Sequence, residues 1–252
     1  MMPQWLEAGL WGLLAGGALV LGAGFAWLER VPGRVIAMIM AFGAGVLISA
    51  LSFELMDEAE RSGGLLPTAA GFLAGACVYV AANALLARRG ARHRKRSGAQ
   101  QPSEADVQGS GAAIAIGALL DGIPESVVLG VSLVGGGEIG LAVVAAVFIS
   151  NVPEGLSSAA GMKRAGRGAR YVFGIWGGIA LASGVAALLG NLSMQSASPA
   201  VTSVIMGLAA GAILAMVADT MIPEAFERAH TLTGLIATIG FLSAFAIERL
   251  AE

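Results

Sequence analysis

The sequence has little charge for its length. Of its 252 residues, 13% are charged and 56% are hydrophobic, and the mean hydropathy is +0.78. A soluble domain normally has about 25% charged residues. The additional apolar residues form runs of about 18 to 24, which are long enough to cross a hydrocarbon core of roughly 30 Å as helices. Because lipid offers the backbone no hydrogen bonds, these uninterrupted runs predict helices and exclude alternating barrel strands.

The chain has one cysteine and lacks two common catalytic patterns. Cys77 lies in an apolar run and cannot form an internal disulfide, so we interpret it as a small core residue. The patterns His-Glu-x-x-His and Gly-x-Ser-x-Gly do not occur, so we expect no enzyme activity and no bound cofactor. The first apolar run lacks a cleavage site followed by a polar chain, so we interpret it as a retained span.

Eight apolar spans predict an all-α, polytopic membrane protein with a single domain over residues 1–252. Pro124 in the fourth span and Pro153 in the fifth are each expected to kink their helix. The predicted spans are residues 5–28, 35–56, 65–87, 111–134, 139–160, 170–189, 200–222 and 232–247.

The basic residues are distributed unequally between the loops. Thirteen of the 15 Lys and Arg residues fall on one side of the eight spans, and only Arg61 and Arg249 fall on the other. Basic loops stay cytoplasmic, so the sequence predicts a cytoplasmic (inner) membrane protein with both termini outside. Since the charges follow this topology, they indicate no nucleic-acid partner. The thirteen are Arg30, Arg34, Arg88, Arg89, Arg92, Arg94, Lys95, Arg96, Lys163, Arg164, Arg167, Arg170 and Arg228.

The stretch of about residues 88–110 has neither a span nor a helical period. Its first half is basic and its second half is rich in Gly, Ser, Gln and Asp, which predicts a flexible cytoplasmic loop. We interpret the basic run as a topology signal that contacts anionic lipid. Regulation through this run, including a role for His93, is the alternative.

Many of the 37 glycines recur four residues apart inside spans. This spacing lets helix backbones approach closely in lipid, so it predicts tight helix packing. The pairs are Gly12/Gly16, Gly71/Gly75, Gly174/Gly178 and Gly207/Gly211.

Two internal echoes indicate a repeat. Asp-Gly-Ile-Pro-Glu at residues 121–125 recurs 29 residues later as Ser-Asn-Val-Pro-Glu at 150–154. More weakly, an Ala-Gly and a Glu-Ala pair in span two recur 166 residues later in span seven. Since span two runs outward and span seven inward, the second echo predicts an inverted repeat that relates helices 1–3 to helices 6–8, a common plan of transporters.

Three carboxylates lie near the middle of two neighbouring spans: Asp121 and Glu125 in span four, and Glu154 in span five. A charged side chain in lipid is costly unless it faces a cavity, a partner or a proton. No Lys or Arg lies at comparable depth in any span. We therefore expect these carboxylates to have no basic partner and either to bind a cation or to be protonated.

The spacing indicates a shared oxygen-rich site. Residues four apart lie on one helix face, so Asp121 projects with Glu125, and Ser150 projects with Glu154. Asn151 adds a side-chain carbonyl, and each proline frees one further backbone carbonyl. Facing each other, the two helices would form a cation cage at the bilayer midplane. A kinked helix with a neutral, protonated glutamate is the alternative for each motif.

These features resemble the ZIP (Zrt/Irt-like) family of divalent metal transporters in its prokaryotic form. The eight spans, the outward termini, the basic loop after span three and the paired Pro-Glu motifs all match, as do residues 52–59 and 219–225. The resemblance covers nearly the whole chain. It implies that spans one, four, five and six carry the ion against a scaffold of two, three, seven and eight.

The resemblance also implies site roles, with departures that make the metal site noncanonical. The family usually has His-Asn where this chain has Asp121 and Gly122, and many members carry Glu-Pro in span six where this chain has Ser183 and a glycine. Gly122 and Ser183 thus remove ligands for a second ion, and we expect one main site. The implied metal ligands are Asp121, Glu125 and Glu154, assisted by Ser150 and Asn151.

The donor set bears on the choice of metal. Zinc favours nitrogen and sulfur donors, whereas carboxylates and carbonyls suit harder ions such as Mn²⁺ and, less selectively, Fe²⁺. Acidic oxygen sites do bind zinc, so zinc or a broad range of transition metals stays open beside Mn²⁺ or Fe²⁺.

Further acidic residues lie near the ends of the expected transport pathway, which also includes Ser183. An entrance and an exit for cations are the functional interpretation, and ordinary interfacial solvation is the alternative. These residues are Glu54, Asp57 and Glu58 at the outer end of span two, and Asp219 and Glu224 at the inner end of span seven.

The sequence thus predicts transport of a divalent metal ion into the cytoplasm. The expected partners are the metal ions as substrate and membrane lipid, and a homodimer is a further hypothesis. The alternative function is a non-transporting ZIP-fold membrane protein, a sensor or scaffold, whose metal site is degenerate. That alternative predicts protonated glutamates and no metal dependence.

Overall fold

In the described part of the chain, eight helices are long and apolar enough to cross a membrane. The computed structural model describes residues 2–29, 31–103, 105–134 and 141–251, and within these ranges it contains helices but no strand. Arg30 of the topology prediction and the predicted start of the fifth span at Ile139 lie outside the described residues. The helices are α1 Gln4–Leu28, α2 Gly33–Gly63, α3 Leu65–Ala87, α4 Ser110–Val131, α5 Leu141–Arg164, α6 Ala169–Met194, α7 Pro199–Ala229 and α8 Leu232–Ala251.

Helices α2 and α7 continue well beyond their predicted ends at residues 56 and 222 and reach Gly63 and Ala229. Each contains one π-helical segment, Leu51–Leu55 in α2 and Val217–Met221 in α7. The two segments start 166 residues apart, the same offset as the weaker sequence echo. The offset agrees with the inverted-repeat hypothesis, which stays a prediction.

A side-chain hydroxyl accompanies each π-helical segment. Ser52 donates a hydrogen bond to the Ile48 carbonyl, and Thr220 donates one to the Met216 carbonyl, each at 2.7 Å. Hydroxyls that bond to the carbonyl four residues back compete with the helical ladder and often bend helices. By contrast, α4 and α5 each continue as one helix across Pro124 and Pro153. The proline kinks stay a prediction.

Glycines bring α3 and α7 into close contact, as the spacing predicts. A methyl group at Gly75 would overlap the backbone carbonyl of Leu208, and one at Gly211 would overlap that of Phe72. Gly12 in α1 lies similarly close to α6, where an added Cβ would be 2.7 Å from the Ser183 carbonyl oxygen.

The pair Gly174/Gly178 and the single cysteine differ from the expectations. An added Cβ at Gly174 or Gly178 would meet no described atom within 4 Å, so this pair packs against no helix of the described chain. Cys77 is exposed and is not a core residue. It lies on the apolar outer face of α3, because the buried positions of that helix, such as Gly75 and Tyr79, lie on the face that packs inward.

The helices pack in two groups. Helix α1 contacts α5 and α6 extensively, and α4 contacts α6; in the other group, α3 packs against α7 and α2 against α8. Contacts of α2 with α5 and of α4 with α7 join the groups. One apolar cluster includes Leu129 and Val147, and a second includes Ile114 and Leu156. The carboxylates of α4 and α5 lie between these two clusters along their helices.

Candidate metal site

The three carboxylates predicted to bind metal are all buried. Asp121 and Glu125 in α4 are 2% and 1% exposed, and Glu154 in α5 is 4% exposed. Each lies near the middle of an apolar helix whose neighbours fill the surrounding space. Burial of this degree requires a counter-charge, a proton or a hydrogen-bonding partner for each group.

Two basic side chains from the loop between α3 and α4 supply counter-charges. Arg94 and Lys95 are 2% and 5% exposed, and both reach Asp121. The expectation that the carboxylates have no basic partner is therefore wrong. It considered only residues inside the spans, whereas the loop folds back between the helices and carries its charges to the depth of the site.

Arg94 holds Asp121 through both carboxylate oxygens. Its Nε donates to Oδ2 at 2.9 Å, and a terminal nitrogen donates to Oδ1 at 2.8 Å. The other terminal nitrogen donates to the Asn83 side-chain oxygen at 2.6 Å. Tyr79 accepts from Arg94 at 2.8 Å and donates to Asp121 at 2.7 Å. Such a two-pronged pair is among the strongest polar contacts in proteins.

The same contacts favour the protonated form of Arg94. Burial alone would lower the pKa of the guanidinium, but the Asp121 carboxylate, with Tyr79 and Glu154, raises that pKa above its usual value. Arg94 is a cation in the site, since a guanidinium stays protonated in proteins.

Lys95 connects the carboxylates of the two helices. Its ammonium nitrogen lies 2.5 Å from Glu154 Oε1 and 3.4 Å from Asp121 Oδ2. A single cationic group thus lies between α4 and α5, at the position where the sequence predicts a metal ion. The Lys95 ammonium therefore pairs with a carboxylate of each helix.

Arg94 and Lys95 form their ion pairs with Asp121 and Glu154 and not with Glu125. Glu125 Oε1 has no hydrogen-bond partner among the described residues. Glu125 lines a small apolar pocket with Leu51, Leu55, Val143 and Ile213. Across the described chain, no three His, Cys, Asp or Glu side chains are placed to hold one metal ion. In this conformation the predicted cage is not assembled, and its ligand set stays a prediction.

The two polar residues expected to assist bond elsewhere. Ser150 donates to the Val147 carbonyl of its own helix at 2.9 Å, and Asn151 donates to the Ala15 carbonyl of α1 at 2.9 Å. Gly122 and Ser183 lie next to each other, since a Cβ on Gly122 would be 3.7 Å from the serine hydroxyl oxygen. The two positions expected to have lost metal ligands are therefore neighbours.

The predicted pathway residues of α2 have different surroundings. Asp57 forms an ion pair with Arg61 one turn away at 2.7 Å, and Glu58 is exposed. Glu54 is partly buried, and its Oε2 has no hydrogen-bond partner among the residues described. Because α2 continues to Gly63, these three lie inside the helix and not at its end.

The two acidic residues of α7 are also unlike each other. Asp219 is exposed and lines a surface crevice with His93 and Arg96 of the loop. Glu224 is only 2% exposed, so it is no exit to solvent in this conformation. Its Oε1 accepts hydrogen bonds from the Ser97 backbone nitrogen and hydroxyl and from the Ser157 hydroxyl, at 2.8 to 3.1 Å.

Sequence reasoning did not find the partners that surround the carboxylates. The missing residues are Tyr79, Asn83, Arg94, Lys95, Ser97 and Ser157. One signal was available: the most basic loop directly precedes the helix with two buried acids. Because buried acids need basic partners, that loop was the place in the sequence to look for them.

Proteins that are named as zinc transporters are similar to this chain in sequence. It is 30% identical over 225 residues to the protein named zinc transporter ZupT of Salmonella newport (strain SL254), which covers 85% of each chain. The chain belongs to the ZIP family. The ZIP proteins of Enterobacter sp. (strain 638) and Escherichia fergusonii that carry the same name are each 29% identical over 223 residues, again with 85% of each chain covered. No family model matches the chain.

Membership of the ZIP family confirms the resemblance drawn from the Pro-Glu motifs. Together with the eight apolar helices, it identifies a multi-pass membrane protein. The ZIP relatives are named as transporters, which agrees with a chain that is not an enzyme, and the absence of catalytic activity stays a prediction.

Proposed function

We propose that this ZIP protein carries divalent metal cations into the cytoplasm through the buried carboxylates of α4 and α5. The observation that carries the proposal is the cation already between Asp121 and Glu154. The Lys95 ammonium contacts both groups, and a metal ion in the same space would meet the same oxygen donors. The relatives named as zinc transporters support a transition metal as the substrate.

The proposed site consists of Asp121, Glu125 and Glu154, with Ser150 and Asn151 as assisting ligands. Glu125 is the carboxylate that must move or receive the ion, because it is buried and one of its oxygens has no hydrogen-bond partner among the described residues. Asn151 donates to α1 through its side-chain nitrogen, and its side-chain oxygen is the atom that would bind the ion. One main metal position is proposed, because Gly122 and Ser183 provide a hydroxyl but no carboxylate or imidazole beside it.

Zinc or a broad range of transition metals is the proposed substrate, with Mn²⁺ and Fe²⁺ included. The name of the relatives favours zinc. The all-oxygen donor set favours harder ions. No bound cofactor is proposed, since the metal is the cargo.

The proposed motion is a displacement of α1, α4, α5 and α6 against α2, α3, α7 and α8. Contacts support this division, since α1 packs with α5 and α6 while α3 packs with α7 and α2 with α8. The metal would pass from Glu54, Asp57 and Glu58 of α2 toward Asp219 and Glu224 of α7.

We further propose that the chain lies in the cytoplasmic membrane with both termini outside. The loop with the basic residues of positions 88–96 would then face the cytoplasm. The same proposal includes contact of the exposed apolar faces with lipid. It also includes assembly as a homodimer. The non-transporting alternative is not favoured, because the relatives are named as transporters.

Metal uptake into proteoliposomes tests the proposed function. Wild type should take up one or more of Zn²⁺, Mn²⁺, Fe²⁺ and Cd²⁺, and Glu125→Ala/Glu154→Ala should lose that uptake. Glu29→Ala, which removes an exposed carboxylate outside the helices, is the matched control and should transport normally. Wild-type protein that is folded but takes up no ion beside a working transporter would point to the degenerate site.

A further inference from the structure

We propose that residues 94–101 form an intramolecular plug, in which Arg94 and Lys95 act as tethered cations that compete with the metal for the transport site. The inference rests on the proposed function, because a plug regulates transport only if the site carries metal. The plug closes the route between the carboxylates and the side of the membrane on which its loop lies.

The tip of the plug occupies the metal-binding oxygens. Arg94 takes both oxygens of Asp121, and Lys95 takes Glu154 Oε1 with a longer contact to Asp121. Two monovalent groups thus satisfy two of the three predicted ligands. A metal ion cannot use the same oxygen lone pairs or the same space, so metal and plug exclude each other.

Backbone and side-chain hydrogen bonds fix the plug to α5 and α7. Ser97 donates through its backbone nitrogen and its hydroxyl to Glu224 of α7, at 2.9 and 2.8 Å. Gln101 donates through its side-chain nitrogen to the Ser158 carbonyl of α5 at 3.0 Å and to the Arg94 carbonyl at 2.9 Å. Arg96 donates to the Pro223 carbonyl of α7 at 2.9 Å.

The helices leave space for the plug at two glycines. An added Cβ at Gly117 of α4 would be 2.5 Å from Arg94 Cδ, and one at Gly161 of α5 would overlap the Arg96 carbonyl. Gly117 lies one turn before Asp121, on the face that Arg94 crosses. Fit of this kind, in addition to charge, distinguishes a docked segment from a basic run that lies on the membrane surface.

Because the metal ion and the plug exclude each other, the docked loop affects the affinity for metal. Withdrawal of the plug leaves the carboxylates buried without a counter-charge, which is costly until another cation arrives. Metal should therefore favour the withdrawn loop, and the docked loop should lower the apparent affinity for metal. Coupling of this kind between two ligands of one protein typically changes affinity by about 5- to 150-fold.

Uptake kinetics test the competition. Arg94→Gln/Lys95→Gln should lower the KM for metal uptake on the order of tenfold. Gly117→Val, which keeps every charge but displaces Arg94, should lower KM in the same direction even if the double variant folds poorly. Arg88→Gln/Arg89→Gln removes two exposed charges of the same loop outside the plug and should leave KM unchanged. An unchanged KM in Gly117→Val and in the double variant would overturn the plug while the proposed function stands.

Cross-linking tests the docked position without relying on transport. Ser97 and Ser157 both bond to Glu224 Oε1, so cysteines at these positions in a Cys77→Ser background should cross-link upon oxidation. The oxidised protein should lose uptake and recover it on reduction. Failure to cross-link, or normal uptake by the fully cross-linked protein, would contradict the plug. If no variant and no wild type takes up metal, the proposed function fails, and cross-linking still decides whether the loop docks.

Discussion

At the scale of single residues, Asp121 is where the loop and the transmembrane helices meet. It accepts hydrogen bonds from Arg94 and Tyr79, and Lys95 approaches it at 3.4 Å. Asp121 also stands where the ZIP resemblance leads one to expect histidine. The substitution exchanges a nitrogen donor for a carboxylate and creates the group that binds the guanidinium. Under the proposed function, this one residue would affect both the choice of metal and the strength of the plug.

Replacement of Asp121 by histidine should shift metal preference toward zinc. Imidazole nitrogen suits Zn²⁺ better than Mn²⁺, and the ratio of zinc to manganese uptake should rise on the order of tenfold, the scale on which changes around a metal ligand act. Competition uptake with both ions present measures this ratio.

Asp121→Asn is the matched control for this change, because it also removes the charge that holds Arg94 but supplies no imidazole. Its ratio of zinc to manganese uptake should stay close to that of the wild type. The same ratio in both variants would show that loss of the Arg94 pair, and not the donor atom, sets the preference.

The burial of Asp121, Glu125 and Glu154 was predictable from the sequence, because each lies in the middle of an apolar run. Their pairing with Arg94 and Lys95 was not. Those contacts join residues 27 and 59 positions apart, and hydropathy says nothing about where a loop returns. Likewise, the hydrogen bond that turns Asn151 toward α1 depends on helix packing that spacing within one helix cannot reveal.

At the scale of helices, glycines determine how closely α3 and α7 approach. Gly75 and Gly211 each face a backbone carbonyl of the partner helix, so their contacts are reciprocal. Gly178 of α6 has the same spacing in sequence but faces open space among the described atoms. A comparison of these glycines therefore separates the effect of helix contact from the effect of losing a glycine.

A methyl group at Gly75 should destabilise the protein, whereas one at Gly178 should not. Overlap with a carbonyl typically costs about 1–3 kcal/mol in a packed interface, so Gly75→Ala should unfold at a lower temperature in detergent. Gly178→Ala meets no described atom and gains helix propensity of about 1 kcal/mol. It should unfold at the wild-type temperature or above. Equal losses in both variants would contradict the packing account.

The helices themselves were largely predictable, since length and hydropathy define a span. Helix α3 has the predicted bounds, whereas α2 and α7 continue for seven residues beyond theirs. Their last turns are polar, and an apolar run does not reveal where a helix ends once it leaves the apolar region. The π-helical segments were also invisible, because one wider turn leaves composition and apparent period almost unchanged.

At the scale of the whole molecule, two groups of helices enclose an acidic site that the loop fills from one side. The loop lies between α3 and α4, in the stretch where the sequence predicts the cytoplasmic face. Under the proposed mechanism, transport requires two movements: the loop leaves the carboxylates and the helix groups shift. In the proposed orientation, the positive charge of the loop would favour the cytoplasmic side and would also occupy the site.

The orientation can be measured with single cysteines in a Cys77→Ser background. Gln108→Cys in the loop should react with a membrane-impermeant maleimide only from the cytoplasmic side, because basic loops stay inside. Ser196→Cys between α6 and α7 should react only from the outside, and both positions are exposed. Labelling of intact cells against inverted vesicles separates the two. The opposite pattern would reverse the proposed direction of transport.

The central claim is that the carboxylates between α4 and α5 carry a divalent metal, and Glu154 tests it most directly because it is the group that Lys95 now holds. The measurement is the initial rate of metal uptake into proteoliposomes by wild type, Glu154→Gln and the exposed control Glu29→Gln. The account predicts rapid uptake by wild type and Glu29→Gln, and a loss of at least about a hundredfold for Glu154→Gln, the upper scale for changes around a metal ligand. Wild-type uptake by folded Glu154→Gln would contradict it.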